Sequence, residues 1–281
     1  MTSAVATLRA AWRASLFLIL TFGLIPPFLL AQLTSDRWSR AIVRSWSRGC
    51  LKICGIEVTR HGRPCPELPA LLVANHVSYL DIPVIAAHVP VIFIAKREVR
   101  SWPLFGFLAR ISRTVFIDRI ASHAARQCRL LRRRLRRGET LLLFPEGTSS
   151  DGSDLLPFKS SLFEAVQDET GSVPLQPLSL AYLGFSDGTP FASDQRELYA
   201  WTGDATMLPH LWRMMKQPGA EVVLHFHPPA RPEAFASRKA LSAYAFGAIR
   251  QSLRRDLEGA GRRPLEDALA EDDERPAIAP G

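Results

Sequence analysis

Leu71-Leu72-Val73-Ala74-Asn75-His76-Val77-Ser78-Tyr79-Leu80-Asp81 is an apolar run that ends in a polar cluster and then turns at Pro83. A short apolar run bounded in this way reads as a strand buried on both faces, so His76 emerges where a sheet opens. Open α/β sheets place their ligand sites at such strand ends. Histidine is the side chain whose ordinary pKa lies nearest neutrality, which makes His76 the candidate proton acceptor and Asp81 its candidate orienting carboxylate. Five residues of ideal helix turn about 500°, leaving the two side chains about 140° apart. A straight helix would not pair them; a strand-to-helix turn could. The competing reading makes His76 a structural cap on the next helix, with Asp81 as N-cap before Pro83.

The same form recurs downstream. Leu141-Leu142-Leu143-Phe144-Pro145 delivers Glu146 and then a loop of Gly147, Thr148, Ser149 and Ser150, where Gly147 permits close approach of a ligand to backbone N–H groups. Thr114-Val115-Phe116-Ile117 ends in Asp118-Arg119, and arginine is suited to holding a phosphate or carboxylate in a fork. Val173-Pro174-Leu175-Gln176-Pro177-Leu178 carries prolines that suit an edge or a wall. Short β-branched or leucine-rich runs predict strands over 56–59, 70–74, 91–95, 114–117, 140–144, 177–182 and 221–226. Helical candidates fall between them, over 82–88, 102–109, 123–137, 160–168, 208–216 and 237–257. The fold class is α/β, a mixed and largely buried sheet flanked by helices.

With 281 residues, 47% hydrophobic and 22% charged, the chain can bury a substantial core. Its net charge is +8, yet residues 266–275 hold six carboxylates against Arg275, so the remainder carries +13. That excess points to an anionic partner such as a membrane surface, a phosphorylated substrate or an acidic carrier. No charge occurs from Ala14 to Ser35, a run long enough to enter a bilayer, although Pro26-Pro27 should kink or break a helix there. An amphipathic segment follows over 37–54, with Trp38, Ile42, Trp46 and Ile53 on one side and arginines on the other. The chain therefore divides into a membrane-inserted helical segment over 1–54, an α/β domain over 55–258 and an acidic disordered tail over 259–281. Cys50, Cys54, Cys65 and Cys128 have no C-x-x-C spacing, so neither a zinc site nor a disulfide framework is indicated.

Arg126, Arg129, Arg132, Arg133, Arg134, Arg136 and Arg137 crowd the helix over 123–137, while Ala124, Cys128, Leu131 and Leu135 keep one apolar stripe. The basic face could sit on anionic lipid or receive an acidic carrier or a nucleotide phosphate. No aromatic platform accompanies it, which disfavours nucleic acid. His225-x-His227 would share one face of a strand, without a third metal ligand in evidence, so no metal is assigned.

Asn75-His76-x-Ser78-x-x-Asp81, Phe116-Ile117-Asp118-Arg119, Phe144-Pro145-Glu146-Gly147-Thr148 and Val173-Pro174-Leu175-Gln176-Pro177, in that order, resemble the glycerolipid acyltransferases typified by 1-acylglycerol-3-phosphate acyltransferase. The resemblance covers roughly residues 50–190. It implies transfer of a fatty acyl group from acyl-CoA or acyl carrier protein to the free hydroxyl of a lysolipid, with no cofactor beyond that co-substrate. His76 would be the general base and Asp81 its orienter. Asn75, Ser78, Lys96, Arg119, Glu146, Gly147 and Thr148 would bind or shape the substrate site. The enzyme would sit at the inner membrane, its catalytic domain facing the cytoplasm and its acceptor arriving from the bilayer.

One departure bears on the acceptor. Many phosphate-accepting members carry arginine after Phe-Pro-Glu-Gly-Thr, whereas here Ser149 follows, and residues 144–163 look like bacterial lyso-ornithine lipid acyltransferases. Arg119 and Lys159 can still hold a phosphate, so 1-acylglycerol-3-phosphate is the first expected acceptor, giving phosphatidic acid, and lyso-ornithine lipid is the alternative. A non-catalytic lipid-binding protein would have no need of the His76, Asp81 and Glu146 set. Gly184-Phe185-Ser186-Asp187-Gly188 fits the G-x-S-x-G of a serine hydrolase, but a nucleophile elbow must run straight into a helix, and residues 189–194 offer no apolar helical stripe. Ser186→Ala is accordingly expected to leave acyl transfer unchanged. Loss of transfer in that variant, with His76 intact, would restore the hydrolase reading.

Overall fold

The computed structural model describes residues 3–118, 121–166, 173–203 and 205–273. Two helices come first, α1 (Ser3–Thr34) and α2 (Asp36–Cys54). The α/β body follows as β1 (Ile56–His61), β2 (Leu71–Ala74), α3 (Asp81–Ala86), β3 (Ile92–Lys96), α4 (Phe105–Ile111), β4 (Val115–Ile117), α5 (Ala124–Arg136), β5 (Leu141–Leu143), β6 (Leu175–Phe185), α6 (Met207–Met215), β7 (Ala220–Phe226) and α7 (Arg238–Asp273). The strands form one seven-stranded sheet in the order β1-β7-β6-β2-β5-β3-β4. All neighbouring strands are parallel except β6 and β7. Strands β2, β5, β3 and β4 therefore end at one edge of the sheet, the edge that carries the polar clusters.

Period-two alternation sorts the core into two layers. Leu71 and Val73 of β2 join Leu141 and Leu143 of β5 against Leu131 and Leu135 of α5 and Leu241 and Ala245 of α7. Leu72 and Ala74 point the other way, into a cluster with Leu142, Leu180, Val84, Leu51 and Met214. Buried on both faces, β2 has no polar alternate positions, which is why its sequence is a continuous apolar run.

All seven expected strands are present, and several details differ from expectation. Residues 173–178 do not form an edge: β6 lies between β2 and β7 in the interior of the sheet. Pro177 is tolerated because its carbonyl accepts from the His227 amide at 3.0 Å, just past the end of β7. N–H and C=O of one strand residue face the same side, so the missing donor falls where that ladder has already ended. Pro26 and Pro27 lie inside an unbroken α1, which is held against α2 on either side of them by the bond from Trp46 Nε1 to Thr21 Oγ1 (3.0 Å) and by buried Phe28 and Ala31. The inner face of α2 is Ser39, Ser47, Cys50, Leu51 and Cys54, with Trp46 half-buried; Trp38 is 66% exposed, on the opposite side from the packed face. The 160–168 candidate is a 3₁₀ run over Ser160–Val166. Of the tail expected over 259–281, residues 259–273 continue α7 in spite of Gly259, Gly261 and Pro264, and residues 274–281 lie outside the described residues.

The N-terminal helices belong to the same packed body. Ala10, Leu51 and Cys54 sit in the core cluster under β2, and the Arg13 guanidinium donates to the carbonyls of Gln217 (2.6 Å) and Pro218 (2.8 Å) just beyond α6. Such unpaired carbonyls after a helix C-terminus favour a cation. Helix α1 is long and apolar enough to cross a membrane. Its face bearing Phe17, Thr21, Leu24, Ile25 and Phe28 looks inward to a cavity. At about 100° per residue, Leu8, Trp12, Ile19, Phe22, Leu30 and Leu33 form the opposite face, and all are exposed.

Gly62 closes β1 with φ +73°, and a Cβ there would lie 2.1 Å from the Phe226 carbonyl oxygen. Gly62→Ala is expected to cost about 1–3 kcal/mol and to lower the midpoint of thermal inactivation by several degrees. An unchanged midpoint would show that the β1–β7 packing is not needed there.

Candidate active site

β2 delivers Asn75 and His76 into a tight turn that re-enters α3 at Asp81. The Asp81 side chain is fully buried. Its Oδ2 accepts the Val77 amide (2.8 Å) and the Ser78 amide (3.0 Å) and faces His76 Nδ1 at 2.7 Å; its Oδ1 accepts the Tyr182 hydroxyl at 2.9 Å. The turn thus achieves the pairing that an ideal helix forbids. A carboxylate accepts only, so Nδ1 carries the proton and the Nε2 lone pair is left for chemistry. The imidazole lies against the Phe144 ring at 4.1 Å between centroids, interplanar angle 17°, which fixes its plane and keeps one face dry. Burial, then the Asp81 charge, hold the Tyr182 phenol well above its ordinary range, so it remains a donor.

Two residues expected to bind substrate are used to hold this turn. Asn75 exchanges both amide bonds with Leu180 of β6, Nδ2 to the carbonyl (2.9 Å) and the Leu180 amide to Oδ1 (2.8 Å). Glu146 accepts the His76 amide through Oε1 (2.8 Å) and the Leu156 amide through Oε2 (2.9 Å). Asn75 and Glu146 are buried, at 1% and 3% exposure, and their side chains hold the loop from inside. Ser78 is likewise buried; its amide serves Asp81, and its Oγ has no partner among the described residues. Lys96, Gly147 and Thr148 do line the open site beside His76. Arg119 lies outside the described residues.

His76 opens into a cavity of about 870 Å³ that runs between the sheet edge and helices α1, α2 and α4. Its walls are mostly apolar, from Phe17, Leu24 and Phe28 to Trp46, Phe93 and Leu108, with Lys96 and Trp201 near the catalytic end. Lys96 Nζ stands over the Trp102 ring at 5.6 Å. Trp201 is pinned by its amide to the Val77 carbonyl (2.9 Å), by its indole to the Ala205 carbonyl (2.7 Å) and by the Ser149 hydroxyl on its own carbonyl. Behind it, Tyr79 donates to His210 Nδ1 at 2.8 Å, while His210 Nε2 faces the carbonyls of Glu197 and Ala200. Burial lowers the His210 pKa and keeps the ring neutral. This ring is core support, while Trp201, Gly203, Met207 and Leu211 of the same stretch line the cavity.

Sequence reasoning missed Tyr182 and the role of Phe144. Tyr182 left a signal, a phenol inside the otherwise apolar Leu180-Ala181-Tyr182-Leu183 run; the placing of Phe144 against His76 is set by packing between strand ends. Trp201 belongs to the segment over 199–212 that the sequence offers either as pocket lining or as core, and it lines the cavity. Elsewhere, Ser186 sits in a turn from which the chain doubles back, Phe185 donating to Thr189 and Phe191 to Leu183, so no nucleophile elbow forms. His225 Nε2 lies 2.9 Å from Asp256, off the line of a hydrogen bond, and His227 Nε2 meets Ser179 Oγ at 3.1 Å. The described residues contain no cluster suited to a metal.

The acyltransferase family model matches residues 54–181. A lyso-ornithine lipid O-acyltransferase of Rhizobium meliloti is 36% identical over 260 residues, covering 90% of this chain and 89% of that protein. This chain belongs to the lysolipid acyltransferase family. Another family member, a lyso-ornithine lipid O-acyltransferase of Brucella abortus, is 34% identical over 91% of this chain and 97% of its own. A 1-acyl-sn-glycerol-3-phosphate acyltransferase of Neisseria gonorrhoeae is 43% identical over a shorter stretch, 42% of this chain and 47% of that protein. The 1-acyl-sn-glycerophosphate acyltransferase structure from Thermotoga maritima superposes with a TM-score of 0.65 over 90% of this chain and 95% of that one, at 23% identity, and shows that the fold is shared.

Burial lifts the Glu146 carboxyl to about 7, against the pull of the Leu156 and His76 amides. Raised above its ordinary 4.5, the group binds its proton more tightly folded than unfolded, so its contribution to stability is full below about pH 4.5 and is lost as pH rises to about 7. The loss is on the order of 3 kcal/mol. In Glu146→Gln that component is absent, and the stability difference between variant and wild type is expected to shift across this window in thermal inactivation at pH 4.5 and 7.5. A pH-independent difference would show that Glu146 stays ionised throughout.

Proposed function

We propose that this protein is a membrane-associated O-acyltransferase that transfers a fatty acyl group from a thioester donor to the free hydroxyl of lyso-ornithine lipid. The observation that carries the reaction is the His76–Asp81 pair, its Nε2 open to an apolar cavity large enough for an acyl chain. The acceptor hydroxyl gives its proton to His76 Nε2 as its oxygen attacks the thioester carbonyl carbon. Asp81 stabilises the imidazolium. The C–S bond then breaks, His76 returns the proton to the leaving thiolate, and an ester and a free thiol result. No acyl-enzyme is required, since the attacking oxygen is the acceptor's own.

The acceptor reading is supported by the two relatives of near-full coverage, both named for lyso-ornithine lipid. It is supported also by Ser149, whose hydroxyl is spent on the Trp201 carbonyl at the position where phosphate-accepting members carry arginine. 1-Acylglycerol-3-phosphate is the second reading, favoured by Lys159: its Nζ is 2.8 Å from where a Gly147 Cβ would stand, a cation at the rim of the site. The exposed apolar face of α1 would rest in the acyl layer of the inner membrane, with the catalytic domain on the cytoplasmic side, so that a lysolipid enters between α1 and α2 without leaving the bilayer.

Membranes containing wild type or His76→Ala, given lyso-ornithine lipid and 1-acylglycerol-3-phosphate separately, test this. Transfer to lyso-ornithine lipid by the wild type, reduced about 10²–10⁴-fold in the variant, is the expected result. Equal rates in both proteins would remove His76 as the base, and transfer to the phosphate acceptor alone would establish the second reading.

A further inference from the structure

A second concavity, of about 400 Å³, opens at the far edge of the sheet between β4 and α5. Its floor is Phe116 and Leu130, and three arginines spaced i, i+3 and i+7 along α5, Arg126, Arg129 and Arg133, rise around it. Asp118 is its one carboxylate among the described residues, and that group is already engaged, accepting Arg97 Nη2 at 2.8 Å and facing His123 Nδ1 at 3.3 Å. The three α5 arginines are exposed and make no ion pair with a described carboxylate, so the pocket keeps a net positive field. Ile117 lines both this pocket and the catalytic cavity, which makes the two compartments neighbours across one side chain.

Geometry relates the pocket to His76. Strand order places β4 three strands from β2 on the same edge, about 14 Å at the usual 4.8 Å spacing. Acyl thioester donors of both biological kinds carry their acyl group on a phosphopantetheine arm. About twelve chain atoms separate its phosphorus from its sulfur, the length of four extended residues, roughly 15 Å. Resting on the thioester reading given above, we infer that the Arg126/Arg129/Arg133 pocket holds the phosphate of the donor's phosphopantetheine arm while the arm passes Ile117 and lays the thioester at His76. Arginine forks suit a phosphate, and the apolar floor suits the gem-dimethyl end of the arm.

The test is donor kinetics of the full chain in membranes, wild type beside the double variant Arg129→Gln/Arg133→Gln. The donors are acyl-CoA, acyl carrier protein, S-acyl 4′-phosphopantetheine and S-acyl pantetheine, which lacks the phosphate. The expected result is a rise of about tenfold or more in donor KM for S-acyl 4′-phosphopantetheine and for whichever natural donor the enzyme uses, with kcat, acceptor KM and the KM for S-acyl pantetheine unchanged. The natural-donor arms then tell coenzyme A from the carrier. A rise in acceptor KM in place of donor KM would reassign the pocket to the lipid headgroup, and equal effects on the phosphate-free donor, or none on any donor, would overturn the inference. Wild-type transfer with an unaltered double variant sinks only the pocket; a wild type inert with every donor sinks the thioester reading and the pocket with it.

Discussion

A fully buried carboxylate is the constraint to which the rest of this structure answers. Asp81 sits where an unpaired charge would be expensive, and it is compensated by two backbone amides, a phenol and the imidazole it orients. Each partner comes from a different requirement of the fold. The amides need the sharp turn after β2, the phenol needs β6 beside β2, and the imidazole needs Phe144 at the end of β5 to hold its plane. The chemistry is inexpensive in residues because the sheet supplies the alignment: β2, β5 and β6 are hydrogen-bonded neighbours, and their ends converge without any long loop having to be ordered for the purpose.

Around that pair the protein divides polar support from apolar access. Asn75 and Glu146 work from inside, tying the turn to β6 and to the loop at Leu156, so a mutation at either would disturb the geometry of the turn. The other side is given over to hydrocarbon. From Ala14 to Thr34 helix α1 carries no charge, and it turns one apolar face to the cavity and leaves another exposed on the outside. The lysine, tryptophan and glycine positions where these regions meet, Lys96, Trp201 and Gly147, are where a molecule with a charged head and a long chain has to change surroundings.

Much of this was legible before any coordinates. The strands were read correctly because a parallel sheet buried on both faces writes itself as short leucine- and valine-rich runs, and the polar clusters at 75–81 and 144–148 stand out at their ends. The errors have a common cause. Pro177 suggested an edge, because a sequence shows that a donor is missing but not which side of the strand it would have faced. Pro26-Pro27 suggested a break, because the partner helix that steadies α1 is visible only once α2 is folded back on it. The bonds that Asn75 and Glu146 make to the backbone were likewise not legible, because a polar residue beside a histidine looks the same in sequence whether it points outward or in.

The sequence by itself determined the fold class and the family and singled out His76 and Asp81 as a pair, since these rest on local periodicity and on motifs a few residues long. Only the tertiary structure decided which polar groups are spent on the backbone, that Tyr182 completes the shell of Asp81, and that the cavity is roofed by the N-terminal helices. Those outcomes depend on contacts between segments about a hundred residues apart, such as Asp81 and Tyr182, or about two hundred, such as Arg13 and Gln217, and a chain's local pattern carries no record of the side to which a distant neighbour will come.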